Sequence, residues 1–219
     1  MLRIAIDGAT RRNGQPTCVA AGGVFVIDYD DELNIQATQI RSSYEHASTN
    51  QRGELLALLK ALDYVHAAGR EAQIITDSEY LFNAMTKNWC DKWVHNNWIG
   101  STGQPVKNAD LWREIHFAAE RCPEITFFHI KGHVIPFGKV TANNLLHTDP
   151  TGRLLFDEAL KKFDLVAPTK ADNIAYAQDL SVKNNGFELE PIVLKTFVAA
   201  NVVADAIATM VVDAADRKI

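Results

Sequence analysis

The chain has 219 residues, 47% of them apolar and 22% charged, which fits one folded domain with an addition and excludes a disordered chain. Its net charge of −5 excludes a broad electrostatic grip on nucleic acid and leaves room only for a local basic or metal-lined contact. Three widely spaced cysteines, Cys18, Cys90 and Cys122, show no zinc spacing and suit a reducing compartment. With a first segment that reads as a strand rather than a secretory leader, they set the expectation of a cytoplasmic protein.

In chain order, residues 2–7 (LRIAID) form a predicted strand that ends in an acid, and a turn is expected from Gly8 to Pro16. Two β-rich runs follow, CVAAGGVFVIDYD and LNIQATQIRSSY, with the polar DDE between them, the pattern of a hairpin or meander. Residues 50–69 make a strong amphipathic helix with Leu55, Leu58, Leu59, Leu62 and Val65 on its apolar face and Gly69 as its stop. AQIITD is a short continuous apolar strand, expected inside a sheet because both of its faces are apolar. SEYLFNAMTKN and NADLWREIHFAAERC read as helices, and EITFFHIKGH as a further strand. The order β-β-β-α-β-α-α-β describes an α/β fold, a mixed sheet with helices packed against it. After His133 the chain turns mainly helical, with GRLLFDEALKKF and ADNIAYAQDLSV both amphipathic. The run from Phe197 to Val212 is almost wholly apolar, with Asn201, Asp205 and Thr209 forming one polar stripe at helical spacing. As a run it is too short and too polar-striped to span a bilayer.

Four acids stand at positions where chemistry gathers. Asp7 and Asp77 each close a strand, and sites in α/β sheets form beyond the carboxyl ends of central strands. If the two strands are parallel neighbours, these acids meet. Glu54 lies near the start of the long helix on its packed side, and Asp205 lies on the polar stripe. Singly, each has a plainer explanation: a turn pair at Asp7-Gly8, a helix cap at Asp77 or Ser78, a helix-dipole partner at Glu54, an ion pair at Asp205. Together, converging carboxylates repel unless a cation neutralises them, and an all-oxygen set selects a hard divalent ion.

The same residues carry a resemblance. IAIDGAT, STNQRGELLALLKAL, IITDSEY, HIKGH and NVVADAIA, in that order, resemble the motifs of ribonuclease H, type 1. The segment WVHNNW through GQPVKNADLW is similar to the family's substrate-binding handle. The resemblance covers residues 1–133 and about 197–212. It implies a ribonuclease H-like fold, a five-stranded mixed sheet flanked by helices. It also implies an endonuclease that cuts the RNA strand of RNA–DNA hybrids and leaves 5′-phosphate and 3′-hydroxyl ends. Asp7, Glu54, Asp77 and Asp205 would hold two Mg²⁺ ions, with Mn²⁺ as a substitute. His133 would assist proton transfer or product release, and Asn201 would orient a water. Asn13, Asn50 and Gln51 would touch the minor groove and the RNA 2′-hydroxyls; Thr49, Arg52 and Asn96 would grip a phosphate of the DNA strand. Glu79 stands where many relatives have Gln. The four tryptophans, Trp89, Trp93, Trp98 and Trp112, fit either stacking on the substrate or a small core for the handle. An inactive scaffold member and a DNA-cleaving relative of the same fold are the competing functions.

The departure from the family lies in residues 134–200, which separate the histidine from the fourth acid. On this reading residues 1–133 and 197–219 form the catalytic domain and 134–196 a mainly helical insertion, either a buttress or a docking module for a protein partner. Asp172 and Asp149 are the rival fourth acids.

Overall fold

The computed structural model describes residues 1–166 and 189–217. Its sheet has five strands in the order β3-β2-β1-β4-β5: β1 (Leu2–Arg11), β2 (Val19–Tyr29), β3 (Ile35–His46), β4 (Ala72–Thr76) and β5 (Ile125–His129). β1, β2 and β3 form an antiparallel meander, and β1, β4 and β5 run parallel. The helices are α1 (Asn50–Ala68), α2 (Glu79–Thr86), α3 (Trp89–His95), α4 (Ala109–Ala119), α5 (Lys139–Thr148), α6 (Arg153–Val166) and α7 (Pro191–Asp216).

Strand alternation divides the core into two layers. Leu2, Ile4 and Ile6 of β1 pack with Leu55, Leu58 and Leu62 of α1 and with Trp112 and Ile115 of α4. On the opposite face Ala5, Ile75 and Phe128 pack under Phe197, Ala200 and Val203 of α7. The expected helix stop is present: Gly69 adopts φ 62° and its N–H reaches Val65 and His66 carbonyls, the left-handed turn that a Cβ disfavours.

Three features differ from the sequence reading. β1 does not turn at Gly8 but runs on to Arg11, because Gly8 serves a close approach rather than a bend. A Cβ at Gly8 would lie 2.6 Å from the Glu54 nitrogen. A short helix, α3, stands inside the handle, preceded by Asn88 in the left-handed region. The last helix starts at Pro191, so it is 26 residues long and apolar enough by composition to cross a membrane. Most of that surface is buried as the cover of the sheet: 72% of its most apolar window lies inside the protein. Of the insertion, α5 and α6 are described. Ala142, Leu146, Leu155, Phe156 and Phe163 join the same apolar layer as α7. The second amphipathic run, residues 171–182, lies outside the described residues.

Candidate active site

The parallel register pairs Ala5 with Ile75, so Asp7 and Asp77 stand the same two residues further along neighbouring strands. Asp7 is only 8% exposed. Its Oδ1 accepts a hydrogen bond from the Gly8 N–H at 2.6 Å. Glu54 arrives from α1, which Gly8 admits against the sheet. Asn50 Nδ2 donates to Glu54 Oε1 at 3.2 Å, and the Ser78 hydroxyl donates to Glu54 Oε2. Ser78 also caps α2, its Oγ accepting from the Leu81 N–H at 3.4 Å.

The fourth acid comes over the other face. Asp7 pairs with Gly23 of β2, and a Cβ at Gly23 would lie 2.2 Å from the Ala204 carbonyl oxygen and 2.6 Å from the Ala208 nitrogen. α7 therefore crosses the sheet backbone-to-backbone beside Asp7, and Asp205 is the next residue along it. Of the rival acids, Asp172 lies outside the described residues. Asp149 is spent locally, its Oδ1 accepting from Thr151 N–H at 3.0 Å and Thr151 Oγ1 at 2.6 Å.

The electrostatics record the convergence. Burial raises the Asp7 carboxyl well above its ordinary range, and the charges of Asp77, Asp205 and Glu54 raise it further against the opposing Gly8 N–H. Burial pushes Glu54 up to about 7, with Asp77 adding and the Ser78 hydrogen bond opposing. Burial likewise raises Asp77, against the nearby His133, while Asp205 adds to the rise. Among the described residues none of the four acids has a Lys or Arg partner in an ion pair. Among those residues too, no three His, Cys, Asp or Glu side chains are drawn tightly enough together to enclose an ion. The carboxylates share a space at electrostatic range, as like charges without a counter-charge do.

His133 is exposed and left-handed (φ 55°) at the tip of the segment after β5. The preceding Gly132 lies against Asp77: a Cβ there would fall 1.9 Å from Asp77 Oδ2. Asn201, one turn before Asp205, is 4% exposed, and its Nδ2 has no partner among the described residues. The residues expected to touch substrate cluster at the start of α1. Asn13 Oδ1 accepts from the Asn50 N–H at 3.4 Å, and Thr49 caps the helix by accepting from the Arg52 N–H at 3.4 Å. Gln51 Oε1 is buried without a partner among the described residues. Arg52 is held by two acids, donating to Glu45 at 2.7 and 2.9 Å and to Asp110 at 2.9 Å. Asn96 stands apart in the handle, donating to the Ile99 carbonyl at 2.6 Å beside a cavity of about 670 Å³ lined by Tyr80, Trp89 and Trp93. The tryptophans form an interior for the handle. Trp93 meets Trp89, Trp98 and Trp112 at ring distances of 5.9, 6.3 and 5.4 Å, and Trp112 Nε1 donates to the Tyr80 hydroxyl at 2.7 Å. Ser78, Gly132 and His129 also belong to this site. Sequence reading singled out none of them for a role there, although Ser78 and Gly132 each adjoin a residue it chose.

Comparisons with known proteins address the family and the fold. The chain matches the RNase H family over residues 2–145. It is 40% identical over 92 residues to a ribonuclease H of Chlorobium phaeobacteroides, covering 42% of this chain and 62% of that protein's length. It is 32% identical over 130 residues to a ribonuclease H of Clostridium botulinum, covering 59% of this chain and 82% of the relative. Among solved structures, a type 1 RNase H with the type 2 active-site motif superposes with a TM-score of 0.53 at 23% identity, covering 60% of this chain and 63% of that one, a likeness of fold.

Proposed function

This chain belongs to the ribonuclease H family, and on that premise we propose that it is a metal-dependent endonuclease that hydrolyses the RNA strand of RNA–DNA hybrids. The observation that supports the reading is the approach of four carboxylates from separate parts of the chain to electrostatic range, with burial and repulsion raising Asp7, Glu54 and Asp77 and no ion pair to relieve them among the described residues.

The donor set fits hard divalent ions: carboxylate oxygens with no thiol and no imidazole among them. Asp7, Glu54, Asp77 and Asp205 would hold two Mg²⁺ ions, or Mn²⁺ in their place. When bound, such ions would supply activation of the attacking water and charge stabilisation at the leaving 3′-oxygen. The chain's own residues do the rest. The Asn50 amide and Ser78 hydroxyl orient Glu54. The Asn201 amide, buried and without a partner for its Nδ2 among the described residues on the helix turn before Asp205, offers a donor to a water or substrate oxygen. His133, exposed and beside Asp77, carries a proton to or from the departing product. Asn13, Asn50 and Gln51 reach the RNA 2′-hydroxyls, the group that separates RNA from DNA. Thr49, Arg52 and Asn96 receive the DNA strand; Arg52 exchanges one of its two carboxylates for phosphate, a geometry its planar fork suits. α5 and α6 support α7 and so keep Asp205 in place.

The test uses labelled RNA–DNA hybrid, double-stranded DNA and double-stranded RNA, each with Mg²⁺ and with chelator. Cleavage of the hybrid's RNA strand alone, abolished by chelator, is the expected result. Cleavage of duplex DNA would replace the proposal with a DNA nuclease, and binding without cleavage with a scaffold role.

A further inference from the structure

β4 ends its ladder with β5 at the pair Thr76 and His129. The Thr76 carbonyl still receives a main-chain donor, the Ile130 N–H at 3.0 Å. The Ser78 N–H is taken by the Thr76 hydroxyl at 3.1 Å. Between them the Asp77 carbonyl has no main-chain donor among the described residues. Its partner is a side chain: His129 Nε2 lies 3.1 Å away. His129 is 6% exposed and shares the α2 side of the sheet, its ring 5.6 Å from that of Phe82. Its other nitrogen, Nδ1, is buried with no partner among the described residues.

A carbonyl oxygen carries no hydrogen, so Nε2 must be the protonated nitrogen. The geometry therefore places a ring hydrogen on Nε2, standing where, among the described residues, the ladder has run out of main-chain donors. We propose that His129 is a positioning residue: its ring extends the β4–β5 ladder by one hydrogen bond and thereby fixes the backbone of Asp77, whose carboxylate the function above assigns to the metal ions. This inference rests on that assignment only for its effect on activity. Fixing one peptide also sets its neighbours, since Ser78 reaches Glu54 from the next position. The ring thus holds two of the four acids in their mutual geometry without touching substrate.

Two substitutions separate this role from packing. His129→Phe keeps an aromatic ring against Phe82 and loses the donor; His129→Gln keeps a donor at the Nε2 position and loses the ring. The expected result is a fall in kcat on hybrid, or in Mg²⁺ affinity by calorimetry, of about 10–100-fold for the Phe variant, the usual cost of losing a hydrogen bond behind a metal ligand. KM for hybrid should hold, and the Gln variant should recover to within about threefold of the parent. A Phe variant as active and as tight for Mg²⁺ as the parent, or a Gln variant as impaired as Phe, overturns the proposal. A readout in the metal-free protein stands apart from activity: ¹⁵N NMR of the histidine rings should show a hydrogen on His129 Nε2, and a ring with its hydrogen on Nδ1 and none on Nε2 would overturn the hydrogen bond. An unaltered protein that cleaves no hybrid sinks the proposed function instead, while the tautomer and Mg²⁺ titration still decide the role of His129.

Discussion

β1 buries two charges, and they are treated differently. Arg3 and Asp7 are each 8% exposed and both face α7. Arg3 is provided for: its Nε donates to Gln73 Oε1 at 2.9 Å, and its guanidinium lies 4.8 Å from the Tyr29 ring and 5.4 Å from the Phe197 ring. Asp7 has its neighbour's N–H and three more carboxylates. A buried charge that serves the fold is surrounded by groups that offset its desolvation, as cation–π contacts and hydrogen bonds do. One surrounded by its own sign destabilises the fold, and is explained by a cation the protein is built to receive.

The comparison breaks most sharply at Asp7. Asp7→Asn should lower hybrid cleavage by about a thousandfold or more, since metal charge supplies several kcal/mol at the transition state. The same change should raise the melting temperature in chelator, because it removes a buried repulsion; a lower one would make Asp7 structural like Arg3. Asp205→Asn should cost about a hundredfold or more on the same reasoning. Asp149→Asn should leave the rate of the folded enzyme intact and lose up to about 1 kcal/mol of stability through a weakened local turn, seen in urea denaturation. The reverse pattern would move the fourth acid. Gly132→Ala should reduce kcat by about tenfold by displacing the Asp77 carboxylate, since the new Cβ would meet Oδ2 at 1.9 Å; steady-state kinetics at saturating Mg²⁺ reads it. Arg3→Met should remove about 1–3 kcal/mol of stability by stranding Gln73 and losing the stacked cation, with kcat unchanged in the folded fraction.

The pH dependence of stability is a graded effect shared by several of the acids. Glu54 is raised from 4.5 to about 7 in the folded protein, and Asp7 and Asp77 are raised in the same sense. The folded state therefore holds protons that the unfolded state releases, so stability is fully present at acid pH and is lost as pH rises through the window from about 4.5 to 7. Glu54 alone contributes about 1–3 kcal/mol to that loss. Thermal melts in chelator should fall across this window, and saturating Mg²⁺ should flatten the fall.

Much of this was legible in the sequence because the signals were periodic or positional. The apolar runs that carry Asp7 and Asp77 pointed to neighbouring strands, although β1 runs on past Asp7 to Arg11. The heptad-like spacing of leucines marked α1 and its Gly69 stop. The small residues Ala204 and Ala208 let α7 lie close to the sheet, where Gly23 is what they approach. What stayed hidden depended on partners. Gly8 has the composition of a turn and the job of a contact, which only Glu54's backbone makes plain. α3 is too short for periodicity, and its tryptophans serve equally as core or as stacking surface until Trp112 is seen bonded to Tyr80. His129 was invisible because a histidine at a strand end has no pattern; its meaning lies in a carbonyl 52 residues away.

The long detour between β5 and α7 also has a consequence in time. Asp205 is encoded 76 positions after His129, the last residue of β5, and at about 5–20 residues per second of synthesis it leaves the ribosome several seconds after the sheet has been made. Until α7 settles against Gly23, a half-made polypeptide carries three of the four acids, and the metal site proposed above is incomplete.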